Sequence, residues 1–132
     1  VSGPADEIEV RFDPSQLRQI VWNLGENAMR YAYPDRQALA AEAAIEIRCG
    51  RLAASGRPFL EVLDRGPGVP REHMDRIFEP FFTGGRGTGL GLFLARELAQ
   101  TNGATLLYEP RHGGGSVFRL VFADPRRWEV EH

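Results

Sequence analysis

Three short stretches of the 132-residue chain carry groups whose type and spacing can do chemistry. In "WNLGENAMR" the polar residues Asn23, Asn27 and Arg30 recur at i, i+4 and i+7. At about 100° per residue this spacing sets them along one stripe of a helix. Carboxamide oxygens on such a stripe can ligate a hard cation such as Mg²⁺, and a guanidinium one turn on can reach phosphate oxygens. A solvated helix flank has the same pattern, because polar residues border the apolar face of any amphipathic helix. In "LEVLDRGPGVP", Leu60, Val62 and Asp64 share one face of a strand, so a carboxylate closes an inward-pointing row. Gly66 and Gly68 then leave room for a flat heterocycle whose amino group Asp64 accepts from. The same residues are good turn formers, with Asp bonding its own backbone. In "GGRGTGLGLF" the glycines 84, 85, 87, 89 and 91 run straight into an apolar stretch. Glycines ahead of a helix let backbone N–H groups converge on one point, and the helix N-terminus adds positive partial charge. Triphosphate is the obvious anion for such a site; a glycine-rich surface loop is the plain alternative. Neither G-x-x-x-x-G-K-[ST] nor a strand running directly into G-x-G-x-x-G is present, which excludes the P-loop and the dinucleotide fold.

These stretches need a scaffold, and the periodicities supply one. "IEVRF" alternates like a strand. "DPSQLRQIVWNLGENAMRYA" follows as a helix, with Asp13 as N-cap, Pro14 at its first position and Leu17, Ile20, Val21, Leu24 and Ala28 as the core-facing stripe. "YPDRQA" breaks it. "AIEIRCG" and "PFLEVLDRG" alternate at period two and form an antiparallel hairpin. "REHMDRIF" reads as a short helix, "LGLFLARELAQTNG" as a longer one closed by Gly103, and "ATLLYEP" and "GSVFRLVF" as two further strands. The expected architecture is an α+β two-layer sandwich, with three helices on one face of a mixed, mainly antiparallel sheet of about five strands.

Bulk properties bound the function. With 42% hydrophobic and 26% charged residues, the chain from 1 to 132 fits a single domain with a real core. Its 16 Lys+Arg against 18 Asp+Glu are scattered, so no basic face predicts a nucleic-acid partner, and any anion must be bound locally. Cys49 is the only cysteine, which excludes an intrachain disulfide framework and a thiolate zinc cluster and fits a reducing compartment. No apolar run approaches the ~18 residues of a membrane span, so no membrane contact and a cytoplasmic location are expected. The opening residue is Val1 rather than Met, so the chain reads as an excerpt of a longer protein.

Order and spacing of the motifs resemble one family. "NLGENAMRYA" resembles the N box, "DRGPGVP" the G1 box, "IFEPFFT" the F box, "GTGLGL" the G2 box and "GGGSVFRL" the last glycine-rich segment of the sensor histidine kinase ATP-binding domain. The resemblance spans residues 8–122. It implies the Bergerat-type sandwich of the GHKL superfamily, shared with Hsp90-type chaperones, type II topoisomerases and mismatch-repair ATPases, and it implies ATP and Mg²⁺ as ligands.

Carried over motif by motif, Asn27 would ligate Mg²⁺ with Asn23 assisting, Arg30 would reach phosphate and Tyr31 would lie against adenine. Asp64 would accept from the adenine amino group, with Gly66 and Gly68 leaving space for the base. Gly87, Thr88, Gly89 and Gly91, with the amides of Leu90 and Leu92, would hold the phosphates. Phe78, Phe81 and Phe82 would anchor the ATP lid, and Ser116 stands where the family often has Thr near the adenine pocket. Only "TGGR" separates the F and G2 boxes, a short lid like those of nitrogen-regulatory and pilus-type sensor kinases.

Three histidines occur, at 73, 112 and 132, and none sits in a helical phosphoacceptor motif. The resemblance therefore implies an acceptor histidine on a separate dimeric helical domain of the same protein, a response regulator downstream, and a parent anchored in the inner membrane as one option. Two rival readings stand beside it: a hydrolytic ATPase of the chaperone or topoisomerase branch, and an anti-sigma-factor-like serine kinase or nucleotide-sensing switch. The first requires a general-base Glu where Asn23 stands, and an amide cannot take a proton from water.

Overall fold

The computed structural model describes residues 10–29, 45–82 and 89–123. Its elements are α1 (Pro14–Asn27), β1 (Ile45–Arg51), β2 (Pro58–Asp64), a 3-10 turn (Arg71–His73), α2 (Gly91–Thr101), β3 (Thr105–Pro110) and β4 (Ser116–Val121). The strands form one sheet in the order β1-β2-β4-β3, and every pairing is antiparallel.

Local chemistry explains both helices. The Asp13 carboxylate accepts from the amides of Ser15 and Gln16 at 2.9 and 3.1 Å, satisfying donors that the first turn leaves open. Pro14 costs nothing there because its missing N–H has no partner in a first turn. Past Asn27 the helix widens into a π-type turn at residues 28–29. At the far end of α2, the Ala104 amide bonds the Ala99 carbonyl at 2.8 Å and the Gly103 amide bonds that of Gln100 at 3.0 Å. This paired closure needs a left-handed residue, and Gly103 has φ of 74°.

Period-two alternation brings Leu60 and Val62 of β2, Leu106 and Tyr108 of β3, and Phe118 and Leu120 of β4 to the helix-facing side. There they pack with Ile20 and Leu24 of α1 and with Ala95 and Ala99 of α2. Leu17 is only partly buried against this cluster, at the margin of the stripe. On the opposite face Glu61, though buried, is paired with Arg119 at 2.6 Å, as a buried charge must be.

The helices run antiparallel and are tied at both ends. Asn102 accepts from the Asp13 amide at 3.0 Å and donates to Gln16 Oε1 and to the Leu98 carbonyl. Asn23 makes the other tie, donating to the Gly91 carbonyl at 3.1 Å.

Two expectations need correction. Among the described residues the sheet has four strands, not about five, and is antiparallel rather than mixed. Val10–Phe12 alternates as a strand would but is not part of the sheet, and residues 8–9 lie outside the described residues. Val10 and Phe12 pack on the core, Phe12 edge-on to Phe122 at 5.6 Å. Alternation thus reported which side chains turn inward and not a ladder partner. Of the three helices expected, two are α-helices; "REHMDRIF" is instead a succession of i→i+3 bonds, from His73 N–H to Pro70 and on to Phe82 N–H to Glu79. Pro80 lacks an N–H and disfavours the α conformation at Glu79, so it ends the segment, and a run this short does not hold an α-helix by propensity alone.

Because Asn102 serves both helices, Asn102→Ala should lower the unfolding free energy by about 1–3 kcal/mol without changing the folded circular dichroism spectrum. Urea denaturation measures it, and a loss under about 0.5 kcal/mol would mean that solvent replaces these contacts.

Candidate functional site

The carboxyl end of β2, the start of β4 and the end of α1 meet at one edge of the sandwich. They border a shallow open cleft, lined by Asn27, Asp64, Gly68, Ser116, Ala28, Pro67, Val69 and Phe118. The first four are residues singled out in the sequence, drawn from segments far apart in the chain. Register explains the meeting of two of them: Asp64 is the Cα partner of Ser116 across β2 and β4.

Asp64 is 4% exposed. Its Oδ1 accepts from the Gly66 amide at 2.9 Å, the turn geometry open at the sequence level, yet the same carboxylate also walls the cleft. Burial pushes its pKa above the ordinary Asp value, while the amides of Gly66 and Ser116 and the charge of Arg111 pull it back.

The glycines of "RGPG" divide in role. Gly66 supplies an amide to Asp64. Gly68 has φ of 77°, and a Cβ there would stand 3.2 Å from the Gly115 carbonyl oxygen and 3.6 Å from the Tyr108 hydroxyl. Next to it, the Val69 amide donates to the Tyr108 hydroxyl at 3.0 Å, which pins this loop to β3. Gly115 is tighter still: a Cβ would lie 2.0 Å from the Asp64 carbonyl oxygen. Tyr108 and Gly115 were not singled out as site residues. The inward phase of Tyr108 on β3 was a usable signal, since a buried phenol needs a partner for its hydroxyl.

The two asparagines of the N box part company. Asn27 lines the cleft, whereas Asn23 lies on the seam between helices, its Oδ1 accepting from Gln19 at 2.8 Å and its Nδ2 donating to Gly91. Asn23 therefore holds the head of α2, where the glycine-rich stretch ends. Among the described residues that head has no side-chain cap and no acidic residue in its first turn, so no carboxylate of its own first turn offsets its positive end. Gly89 has φ of 76° and accepts from the Phe81 amide at 2.9 Å, so the F box and the start of α2 are clasped at the base of residues 83–88.

Phe78 and Phe82 pack against the core, Phe82 between His73 and the guanidinium of Arg76. Phe81 does not join them: it is 72% exposed at φ of 66°, because the clasp to Gly89 turns its backbone outward. Leu90 precedes α2 and Gly91 and Leu92 open it. Arg30, Tyr31, Gly87 and Thr88 lie outside the described residues, as does His132. Among the described residues no three His, Cys, Asp or Glu cluster as metal ligands, and no helix is long and apolar enough to cross a membrane.

Comparison with known proteins identifies the family. The family model described as "Histidine kinase-, DNA gyrase B-, and HSP90-like ATPase" matches residues 12–126. The sensor protein kinase PilS of Pseudomonas aeruginosa is 43% identical over 124 residues, covering 93% of this chain and 23% of the relative. The sensor histidine kinase YkoH of Bacillus subtilis is 31% identical over 126 residues, covering 90% and 25%. The chain thus spans about a quarter of the length of these relatives. Among solved structures, the mycobacterial sensor histidine kinase MprB superposes with a TM-score of 0.67 at 25% identity, covering 83% of this chain and 71% of that one. Full-length ShkA in complex with AMPPNP superposes with a TM-score of 0.61 at 30% identity, covering 81% and 21%.

Gly114 and Gly115 have nearly equal φ, 110° and 111°, but only Gly115 abuts Asp64. Gly114→Ala should therefore cost about 1–3 kcal/mol of backbone strain, and Gly115→Ala clearly more. Equal losses in parallel urea denaturations would show that the end of β2 yields freely to an added methyl group.

Proposed function

Because the chain belongs to the histidine kinase-, DNA gyrase B- and HSP90-like ATPase family, we propose that it is the ATP-binding catalytic domain of a sensor histidine kinase, donating the γ-phosphoryl group of Mg–ATP to a histidine on a separate helical acceptor domain. The observation that carries this reading is the convergence of Asn27, Asp64, Gly68 and Ser116 on one cleft, with Asn23, one turn from Asn27, bonded to the head of α2. In it Asp64 accepts from the adenine amino group, and the same carboxylate repels the carbonyl oxygen that guanine places there. Gly66, Gly68 and Ser116 shape the base pocket, and Tyr31 lies against the ring.

The α2 head and the glycines before it face the phosphates: Gly87, Thr88, Gly89, Leu90, Gly91 and Leu92 offer backbone N–H groups, and Arg30 adds charge. The donor set fits Mg²⁺, a hard cation that takes few protein ligands and prefers oxygen donors. Asn27 presents a carboxamide oxygen from the cleft wall, and Asn23 assists by fixing the α2 head as well as through its own oxygen. A bound cation would supply positive charge to the phosphates. The chain itself contributes positioning and charge stabilisation. Asn23 cannot act as the general base that the hydrolytic branch needs, so hydrolysis is the disfavoured reading.

His73 packs edge-on to Phe82 and His112 is exposed in the β3–β4 turn, outside any helical acceptor motif. The acceptor histidine accordingly belongs to a helical domain of the parent protein, with a response regulator receiving the phosphoryl group from it. ATP supply sets this chemistry in the cytoplasm.

Asp64→Asn keeps shape and removes charge. It should cost about 1.5–3 kcal/mol of ADP binding, one to two decades in Kd, and narrow the preference for ADP over GDP. Since the ionised form binds and its pKa is raised, wild-type affinity is full above that pKa and is lost as pH falls through it, at a higher pH than for an ordinary Asp. Calorimetry on both proteins across pH checks each point; a folded variant with wild-type affinity and base preference would move the adenine site elsewhere.

The chain alone should not label itself from γ-labelled ATP, whereas mixing it with the acceptor domain of its parent should give acid-labile label on that domain. Strong acid-labile label on the isolated chain would make one of its own histidines the acceptor.

A further inference from the structure

Arg111 follows β3 and crosses the end of the sheet. Its side chain is 8% exposed, an unusual setting for a guanidinium. One nitrogen donates to Glu46 Oε1 at 2.8 Å, and another makes a long contact, 3.4 Å, to the Asp64 carbonyl oxygen. Its backbone closes the β3–β4 turn, with its amide bonded to the Gly115 carbonyl at 3.0 Å and its carbonyl accepting from Gly114 at 2.9 Å. Glu46, on the edge strand β1, also accepts from Arg48 on its other oxygen. One arginine thus joins β1, the end of β2 and the turn that Gly115 packs against Asp64.

We propose that Arg111, oriented by Glu46, is a positioning residue that fixes the end of β2 under the Asp64 carboxylate and so sets the affinity and base choice of the cleft. The proposal deepens the assignment of Asp64 as the adenine acceptor and rests on it. Three observations support a role beyond holding the fold together. The contact falls on Asp64 itself, at the point where β2 ends and the cleft begins. A nearly buried guanidinium is costly unless fully paired, and Glu46 is half exposed, so the pairing is not a simple surface salt bridge. Finally, the Arg111 charge adds to the Gly66 and Ser116 amides in partly offsetting the rise in the Asp64 pKa that burial causes.

The experiment compares ADP and GDP affinities by calorimetry for wild type, Arg111→Gln, Arg111→Lys, Glu46→Gln, Asp64→Asn and the double variant Arg111→Gln/Asp64→Asn, each with circular dichroism as folding control. Arg111→Gln should weaken ADP binding about fivefold and narrow the ADP-over-GDP ratio, a size usual for coupled neighbours. Arg111→Lys, which keeps the charge, should recover part of both, and Glu46→Gln should shift both in the same direction as Arg111→Gln but less. In the Asp64→Asn background the arginine change should cost under about twofold, because the group it positions no longer carries the charge that binds adenine. A fivefold loss persisting in that background would reveal a general structural role and overturn the proposal. So would folded Arg111→Gln with wild-type affinity and base ratio. If Arg111→Gln does not fold, Glu46→Gln decides: unchanged affinity and ratio overturn the proposal. Should Asp64→Asn alone leave ADP binding intact, the base-site reading fails and this inference falls with it; if Asp64→Asn loses affinity and Arg111→Gln does not, only this inference falls.

Discussion

A carboxylate that is 4% exposed has to be satisfied by donors at hand, and the end of β2 is organised around that need. The Gly66 amide meets Asp64 from its own turn, and Ser116 stands opposite it on the paired strand. For this pairing, β4 must begin opposite the last residue of β2, and the turn before β4 must press on the Asp64 backbone. That close approach excludes a side chain at Gly115. The cleft is what remains beside this knot: its walls are residues drawn in by the same pairing, and its one buried charge is the group that the pairing serves.

A second constraint acts in the helix layer. α1 contributes a cleft wall through Asn27 and α2 contributes its uncapped head, so their relative position matters more than the stability of either. Asn102 ties one end of the pair and Asn23 the other, and between them Ala95 and Ala99, both 0% exposed, bring α2 onto the core without bulk. The tie at Asn23 lies one helical turn from Asn27, so a small change in helix crossing would move the cleft wall and the α2 head together. Asn23 thus combines a polar residue's chemistry with a joint's geometry.

The clasp of Phe81 on Gly89 closes the base of residues 83–88 by one backbone bond. It forces φ of 66° on a phenylalanine and leaves its ring 72% exposed. A bulky residue in the left-handed region persists only where its surroundings over-determine it. Here the surroundings are Phe78 and Phe82 on the core side and Gly89 on the other, where a Cβ would meet Phe81 backbone atoms at 2.5–2.7 Å.

Much of this was legible along the chain. The Asp13-Pro14 start of α1, the Gly103 stop of α2, the β1–β2 hairpin and the inward phase of Asp64 all depend on residues within a few positions of one another, where spacing and steric preference suffice. The motif order likewise named the family. What could not be read locally were the contacts between distant residues: Asn23 with Gly91, Val69 with Tyr108, Glu46 with Arg111, and Gly115 with Asp64. For the same reason Val10–Phe12 looked like a strand without joining the sheet, since alternation marks the buried side of an extended segment but not a hydrogen-bonding neighbour. Local rules set the elements and which face each turns inward. Which elements meet, and therefore which polar groups find partners and which are left facing the cleft, follows from packing the layers together, where a single methyl group at Gly115 would matter more than any propensity.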